Sequence, residues 1–257
     1  MKAVLPANLA WLFSLDPVHP YLHEAARTDS ELPMNSPRMI VFDLDGTLVD
    51  TAPDLISALN YVLDREGLPP VPLQPARNMI GAGARKLIER GLELEGRAVS
   101  VDDINRLTKD FIDYYSAHIA DASRPFEGLE AALDDLQAQG CRFAVCTNKL
   151  EWLSKLLLDQ LGLSPRFAAI CGADTFGVAK PDPVILQQTV ARAGGQMSSA
   201  IMVGDAGPDV GVARRAGIPV IGVEFGYTDV PIAELKPDRL IGHMRDLPDA
   251  VNSLLRA

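Results

Sequence analysis

Two aspartates, Asp43 and Asp45, close a short apolar run and open the stretch Asp-Leu-Asp-Gly-Thr. At the end of an extended strand, side chains at i and i+2 project to the same side. The two carboxylates can therefore divide a group transfer between them, one attacking and the other moving protons. Attack by Asp43 on phosphorus gives an aspartyl-phosphate, which water then hydrolyses. Asp45 protonates the leaving oxygen and afterwards deprotonates that water. A carboxylate approaching a phosphate dianion needs cationic help. Asp43 and Asp205, the latter in Gly204-Asp205, offer hard oxygen ligands that suit Mg2+. Lys180, in Lys180-Pro181, adds a second positive charge. Thr147, with Asn148 beside it, offers a hydrogen bond to a phosphate oxygen. Gly46 lets backbone N–H groups come close to the anion.

These groups converge only if the elements ahead of them line up. Uninterrupted apolar runs occur at 39–42, 143–146, 168–171, 200–203 and 220–223, with a weaker one at 239–241. Runs of this kind suit parallel strands covered on both faces. Leu129, Leu133 and Leu136 recur at helical spacing between two of the runs, as do Leu153, Leu156, Leu157 and Leu161. Gly140 and Gly162 fall where those helices would end. Alternation of strand and helix predicts a doubly wound α/β sheet, whose ligands bind beyond the carboxyl ends of the strands. Asp43, Thr147 and Asp205 all occupy that edge, and Lys180 lies between the third run and its helix.

The interval 52–122 breaks the rhythm. Ile56, Leu59 and Leu63 form one helical stripe, Leu87, Ile88 and Leu92 another, and Ile104, Leu107, Phe111 and Tyr115 a third. That is too much helix for one crossover, so this interval is expected to be an inserted helical cap domain, with 39–51 and 123–257 as the core. Residues 1–38 hold five prolines and no sustained periodicity, and are expected to be a loosely ordered extension. Met34 stands just ahead of the first strand as an alternative start.

The formal net charge of −10 argues against nucleic acid or anionic membrane as a partner. No apolar run approaches the ~20 residues that cross a bilayer. The stretch after Lys2 lacks a small-residue cleavage site and is interrupted by proline, which does not fit a signal peptide. Cys141, Cys146 and Cys171 show neither C-x-x-C spacing nor a histidine cluster. They are expected as free thiols near buried strands in a reducing cytoplasm. Both a monomer and a homodimer are compatible with the sequence.

The four segments Asp43–Thr47, Thr147, Lys180-Pro181 and Gly204-Asp205, in this order and spacing, resemble the motifs of the haloacid dehalogenase-like hydrolases. The resemblance spans essentially all of 39–257 and implies a Rossmann-like core. It makes Asp43 the nucleophile and Asp45 the general acid and base. Mg2+ is then held by Asp43, the backbone carbonyl of Asp45, and Asp205, with Asp209 in support. Asp45 sets the chain apart from dehalogenases, which lack the second aspartate. The absence of lysine from 53–66 sets it apart from phosphonatases. The stretch 48–54, the cap segment 80–92 and Phe225-Gly226-Tyr227 resemble phosphoglycolate phosphatase. That makes 2-phosphoglycolate the leading substrate, with an amino sugar acid phosphate or another sugar phosphate, or a nucleoside monophosphate, as rivals. A sugar-phosphate mutase and a non-catalytic phosphometabolite sensor remain as further alternatives. One departure is Ala206-Gly207-Pro208 in the fourth motif, where relatives carry a hydroxyl residue after the first aspartate.

In the cap, Gly81-Ala82-Gly83 either presents backbone N–H groups to a substrate carboxylate at a helix N-terminus or is an interhelical turn. Arg85 either pairs with that carboxylate or joins Lys86, Glu89 and Arg90 as a solvated charge. Tyr114 and Tyr115 read as core packing.

Overall fold

Four consecutive buried residues, Met39–Phe42, form the central strand β1 of a parallel sheet. The computed structural model describes residues 37–228 and 230–254. The expectations for the first 36 residues, including a start at Met34, lie outside the described residues. In chain order the elements are β1, β2 (Val49–Asp50), α1 (Ala52–Arg65), α2 (Leu73–Ala76), α3 (Ala84–Leu94), α4 (Val101–Ala117) and β3 (Arg124–Pro125). Then follow α5 (Leu129–Ala138), β4 (Arg142–Cys146), α6 (Glu151–Gln160), β5 (Phe167–Cys171), α7 (Pro183–Arg192) and β6 (Ala200–Gly204). The chain closes with α8 (Gly207–Ala216), β7 (Val220–Val223), β8 (Arg239–Ile241) and α9 (Leu247–Leu254).

The strand order is β5-β4-β1-β6-β7-β8, with every pair parallel. Alternate residues of each strand enter two separate apolar layers. Ile40, Phe42, Phe143, Val145, Ile201 and Val203 pack with Leu133, Leu136 and Leu157 of α5 and α6. Met39, Val41, Ala144, Cys146 and Met202 pack with Ile185, Val190 and Val212 of α7 and α8. Burial on both faces is why the strands read as continuous apolar runs rather than as alternating ones. Phe42 sits edge-on to Phe143 and Phe167 at centroid distances of 6.0 and 6.3 Å. The strand order reverses at β1, between β4 and β6, and such a switch point opens a crevice at the carboxyl edge.

The helices α1 to α4 stand between β2 and β3, in the interval expected to be the helical cap. Leu59, Leu63, Leu87, Ile88, Leu92, Leu107, Phe111 and Tyr115 are all buried. Helix α4 packs against both α1 and α3. The two-residue strands β2 and β3, which the sequence pattern does not announce, pair antiparallel where the chain leaves and re-enters the core. Buried Asp54, in the first turn of α1, accepts hydrogen bonds there from Ser123 N at 2.8 Å and Ser123 Oγ at 2.7 Å. Among the described residues, no helix is long and apolar enough to cross a membrane.

Candidate active site

Asp43 extends β1 by one residue, its N–H donating to Val203 O of the neighbouring strand at 2.9 Å. The Asp43, Asp205 and Asp209 side chains offer carboxylate oxygens that all lie within 4.8 Å of one another. Lys180, its side chain only 1% exposed, reaches into this group. Its Nζ stands 2.8 Å from Asp43 Oδ1 and 2.6 Å from Asp209 Oδ1. The Lys180 loop is held by Asn148, whose side chain accepts from Lys180 N at 2.8 Å and donates to Lys180 O at 3.2 Å. Asn148, expected to bind substrate, thus fastens the lysine's backbone while still lining the cavity described below.

Asp205 is fixed from two sides. Thr47 Oγ1 donates to Oδ1 at 2.8 Å, and the Tyr227 N–H donates to Oδ2 at 2.7 Å. Two glycines permit this fit. Gly46 has φ +83°, and a Cβ there would lie 2.5 Å from Asp205 Oδ2. A Cβ on Gly226 would lie 2.2 Å from that of Asp205. The Gly46 N–H donates to Val49 O at 3.0 Å, so this glycine gives close approach to the Asp205 carboxylate and does not offer its own N–H to an anion. Asp209 Oδ2 accepts from the N–H groups of Asp205 and Ala206 at 3.2 and 3.0 Å. That contact closes the first turn of α8 without a hydroxyl at position 206, which answers the departure at Ala206-Gly207-Pro208.

The Asp45 side chain is not one of the three clustered carboxylates. It meets Lys149, whose Nζ donates to Oδ1 at 3.0 Å and Oδ2 at 3.3 Å, and to Tyr115 Oη at 2.9 Å. Thr147, buried at the end of β4, accepts from Lys149 N at 3.2 Å and keeps its hydroxyl proton for another acceptor. Above these groups lies a cavity of about 280 Å³. Its core wall includes Asp43, Asp45 and 147–150, and its cap wall includes Leu55, Ile80, Phe111 and Tyr115. Gly81 and Gly83, with φ of +109° and +87°, lie on the cap wall and lead into the N-terminus of α3. Arg85 also lines the cavity, but its guanidinium engages Glu89 Oε1 at 3.1 Å and Asn105 Oδ1 at 2.9 Å.

Burial pushes the Asp43 carboxyl up to about 6, against the pull of Lys180. Burial, with the charges of Asp209 and Asp43, holds the Asp205 carboxyl well above the usual range. Burial alone would lower the Lys180 ammonium, but Asp209 and Asp43 outweigh it and raise the value. Three carboxylates thus share one lysine charge in a buried space, and their donors are hard oxygens. That set fits a small divalent cation such as Mg2+.

A pH effect on stability follows. Between the ordinary 3.8 and about 6, the folded chain holds the Asp43 proton more tightly than the unfolded chain does. Stability therefore falls as pH rises through that window, by something on the order of 2–3 kcal/mol from this group. A cation replaces the proton. Saturating Mg2+ is expected to raise the melting temperature by several degrees more at about pH 7.5 than at about pH 5, relative to chelator. Thermal unfolding at the two pH values checks this, and an equal Mg2+ shift at both would contradict it.

Lys149 and Tyr115 are site residues that motif reasoning passes over, and Tyr227 is one that it notes without giving its contacts. Lys149 follows Thr147-Asn148 directly, and its place just beyond a strand end is the available signal. Tyr115 hides within a helical apolar stripe. Tyr227 joins the loop beside Asp205 to the joint between cap and core: its hydroxyl accepts from Ala52 N at 3.0 Å and donates to Asp50, which pairs with Arg77 at 2.7 Å. Tyr114, by contrast, stacks on Tyr61 at 4.2 Å, in keeping with a packing role.

The chain is similar to known proteins over most of its length. Residues 40–223 match the family model of the haloacid dehalogenase-like hydrolases. The chain is 48% identical to a phosphoglycolate phosphatase of Caulobacter vibrioides over 84% of its own length and 91% of the relative's. It is 44% identical to a phosphoglycolate phosphatase of Mesorhizobium japonicum over 85% of its length and 97% of that relative's. Among solved structures, one described as a predicted phosphoglycolate phosphatase from Haemophilus somnus superimposes with a TM-score of 0.77 at 28% identity, covering 84% of this chain and 99% of that one. On the sheet order, the inserted helices and these matches, the chain belongs to the haloacid dehalogenase-like hydrolases, in their phosphoglycolate phosphatase-like branch, and is a phosphoric monoester hydrolase.

Proposed function

We propose that the chain is a Mg2+-dependent phosphomonoesterase acting on 2-phosphoglycolate through an aspartyl-phosphate on Asp43. The observation that carries this reading is the shared cavity wall, where Asp43 and Asp45 line one small cavity. The substrate assignment is supported by the names of the relatives at 48% and 44% identity.

In the first step an Asp43 oxygen bonds to phosphorus as the bond from phosphorus to the glycolate oxygen breaks. Asp45 gives that oxygen its proton. In the second step water attacks phosphorus, Asp45 takes a proton from it, and phosphate leaves with the Asp43 carboxylate restored. Lys180 holds one Asp43 oxygen, and Lys180 and the Thr147 hydroxyl face the phosphoryl oxygens. Asp43, the Asp45 backbone carbonyl and Asp205 would hold Mg2+, with Asp209 bracing the Asp205 loop. When bound, that ion supplies the charge that lets carboxylate and phosphate approach. Residues 52–122 act as a cap that closes over the substrate and excludes bulk water, while 39–51 and 123–257 form the catalytic core. The proposed setting is the cytoplasm, where the free Cys141, Cys146 and Cys171 stay reduced, with the chain as a monomer or homodimer.

The test is phosphate release from 2-phosphoglycolate, sugar phosphates and nucleoside monophosphates, with Mg2+ and then with chelator. The expected outcome is metal-dependent release, fastest from 2-phosphoglycolate. Faster release from a sugar phosphate or nucleotide would move the substrate assignment. Phosphate migration without release would mean a mutase.

A further inference from the structure

The cavity beside Asp43 is lined by two cationic side chains, Lys149 and Arg85. They differ in what they are free to do. Arg85 is half exposed, and its guanidinium is already held by Glu89 and Asn105. Lys149 has a side chain only 5% exposed, and its Nζ lies on the Asp45 side of the cavity, 3.0 Å from Asp45 Oδ1. Its second partner, Tyr115 Oη, accepts from it at 2.9 Å across the boundary between core and cap. That leaves the tyrosine's own proton available to an acceptor in the cavity.

Much of the remaining wall is apolar: Leu55, Ile80, Leu87, Phe111, Ile112 and Leu153. A carboxylate pressed against such a surface without a partner is strongly disfavoured. The carboxyl carbon of a two-carbon acid ester is only three covalent bonds from phosphorus. When phosphorus sits at Asp43 and the leaving oxygen at Asp45, the carboxylate must therefore land close to Asp45. Lys149 and Tyr115 offer side-chain donors at that place.

We propose that Lys149 and Tyr115 together receive the substrate's non-reacting carboxylate, which makes them the residues that select acid-bearing phosphate esters over neutral ones. This inference rests on the phosphatase reading above. On binding, the Lys149 ammonium shares its N–H groups between Asp45 and the incoming carboxylate, and the Tyr115 hydroxyl donates to the same carboxylate. A buried lysine with a tyrosine partner gives a donor pair that a neutral substrate leaves unmatched.

The competing explanation is that Lys149 serves only as the counter-charge of Asp45. The two are separated by comparing 2-phosphoglycolate with 2-hydroxyethyl phosphate, which has the same length but no carboxylate. Any effect of Lys149 on Asp45 is common to both esters and cancels in the ratio of their kcat/KM values. Lys149→Gln is expected to lower the preference for 2-phosphoglycolate by about 100-fold, chiefly through KM. Lys149→Arg should recover most of that preference, and Tyr115→Phe should lower it by roughly 5- to 10-fold. The same comparison is made by calorimetric binding of each ester to Asp43→Asn protein, with and without Lys149→Gln, where no turnover is needed.

A ratio that stays within about twofold of wild type in both measurements overturns the proposal and leaves Lys149 as a partner of Asp45 alone. If wild-type protein releases phosphate from neither ester, the assignment of 2-phosphoglycolate as substrate falls. The binding comparison then still decides for or against the carboxylate receptor.

Discussion

Asp43→Asn is expected to lower phosphate release by at least about 10⁴-fold, with little change in fold. The substitution keeps the shape of the side chain and replaces the oxygen that bonds to phosphorus with an amide, which cannot serve as the nucleophile. It also removes one of the negative charges facing Lys180, which stands 2.8 Å away, so the folded state is not burdened by the change. Steady-state phosphate release provides the first check, with Mg2+ held well above saturation so that a weaker metal affinity is not mistaken for lost chemistry. Intact-mass measurement after rapid quenching provides the second: the wild-type chain carries a transient phosphoryl group, and the variant carries none. A variant that keeps more than about a tenth of the wild-type rate would mean that water attacks phosphorus directly and Asp43 serves only as a ligand.

The second large effect concerns Lys180. Its side chain is 1% exposed and lies between the Asp43 and Asp209 carboxylates. Lys180→Met keeps much of the volume but leaves buried carboxylates without their cation. Removing one partner of a buried ion pair typically costs about 3–5 kcal/mol, because the remaining charge is neither solvated nor paired. Denaturant unfolding at neutral pH in chelator should show a loss of that size. The loss should shrink as pH falls, since protonating the orphaned carboxylates removes the buried charge. Saturating Mg2+ should also shrink it by supplying positive charge in the lysine's place. Turnover should fall by about 10³-fold or more even with Mg2+, because the lysine also faces the charge that develops in the transition state. A stability loss below about 1 kcal/mol in chelator would show that Lys180 is not what compensates these carboxylates.

The strand edges are legible in the amino-acid sequence because both kinds of signal are local. The runs ending at Phe42, Cys146 and Gly204 are apolar in nearly every position, as burial on both faces requires, and each is followed at once by a chemically active residue. Parallel order then carries Asp43, Thr147 and Asp205 to one edge. The cap helices are legible for the same reason, since Leu59, Leu63, Leu87 and Phe111 repeat with the helical period that buries one face.

Side-chain partnerships are not legible there, because they depend on how distant elements pack. By its sequence Gly46 is a place for an anion to approach the backbone, yet its left-handed turn is occupied by the Asp205 carboxylate, delivered from a strand far along the chain. Asn148 reads as a substrate contact, yet it holds the Lys180 backbone. Lys149 reads as an ordinary residue after a motif, and Tyr115 as one member of an apolar stripe. Only the seating of α4 over the end of β4 brings the ammonium to the phenol hydroxyl, 34 positions apart in the chain, at 2.9 Å beside Asp45. Sequence spacing constrains neighbours within a turn or a strand. Which charges share a buried space is decided by the sheet order and the cap that closes over it.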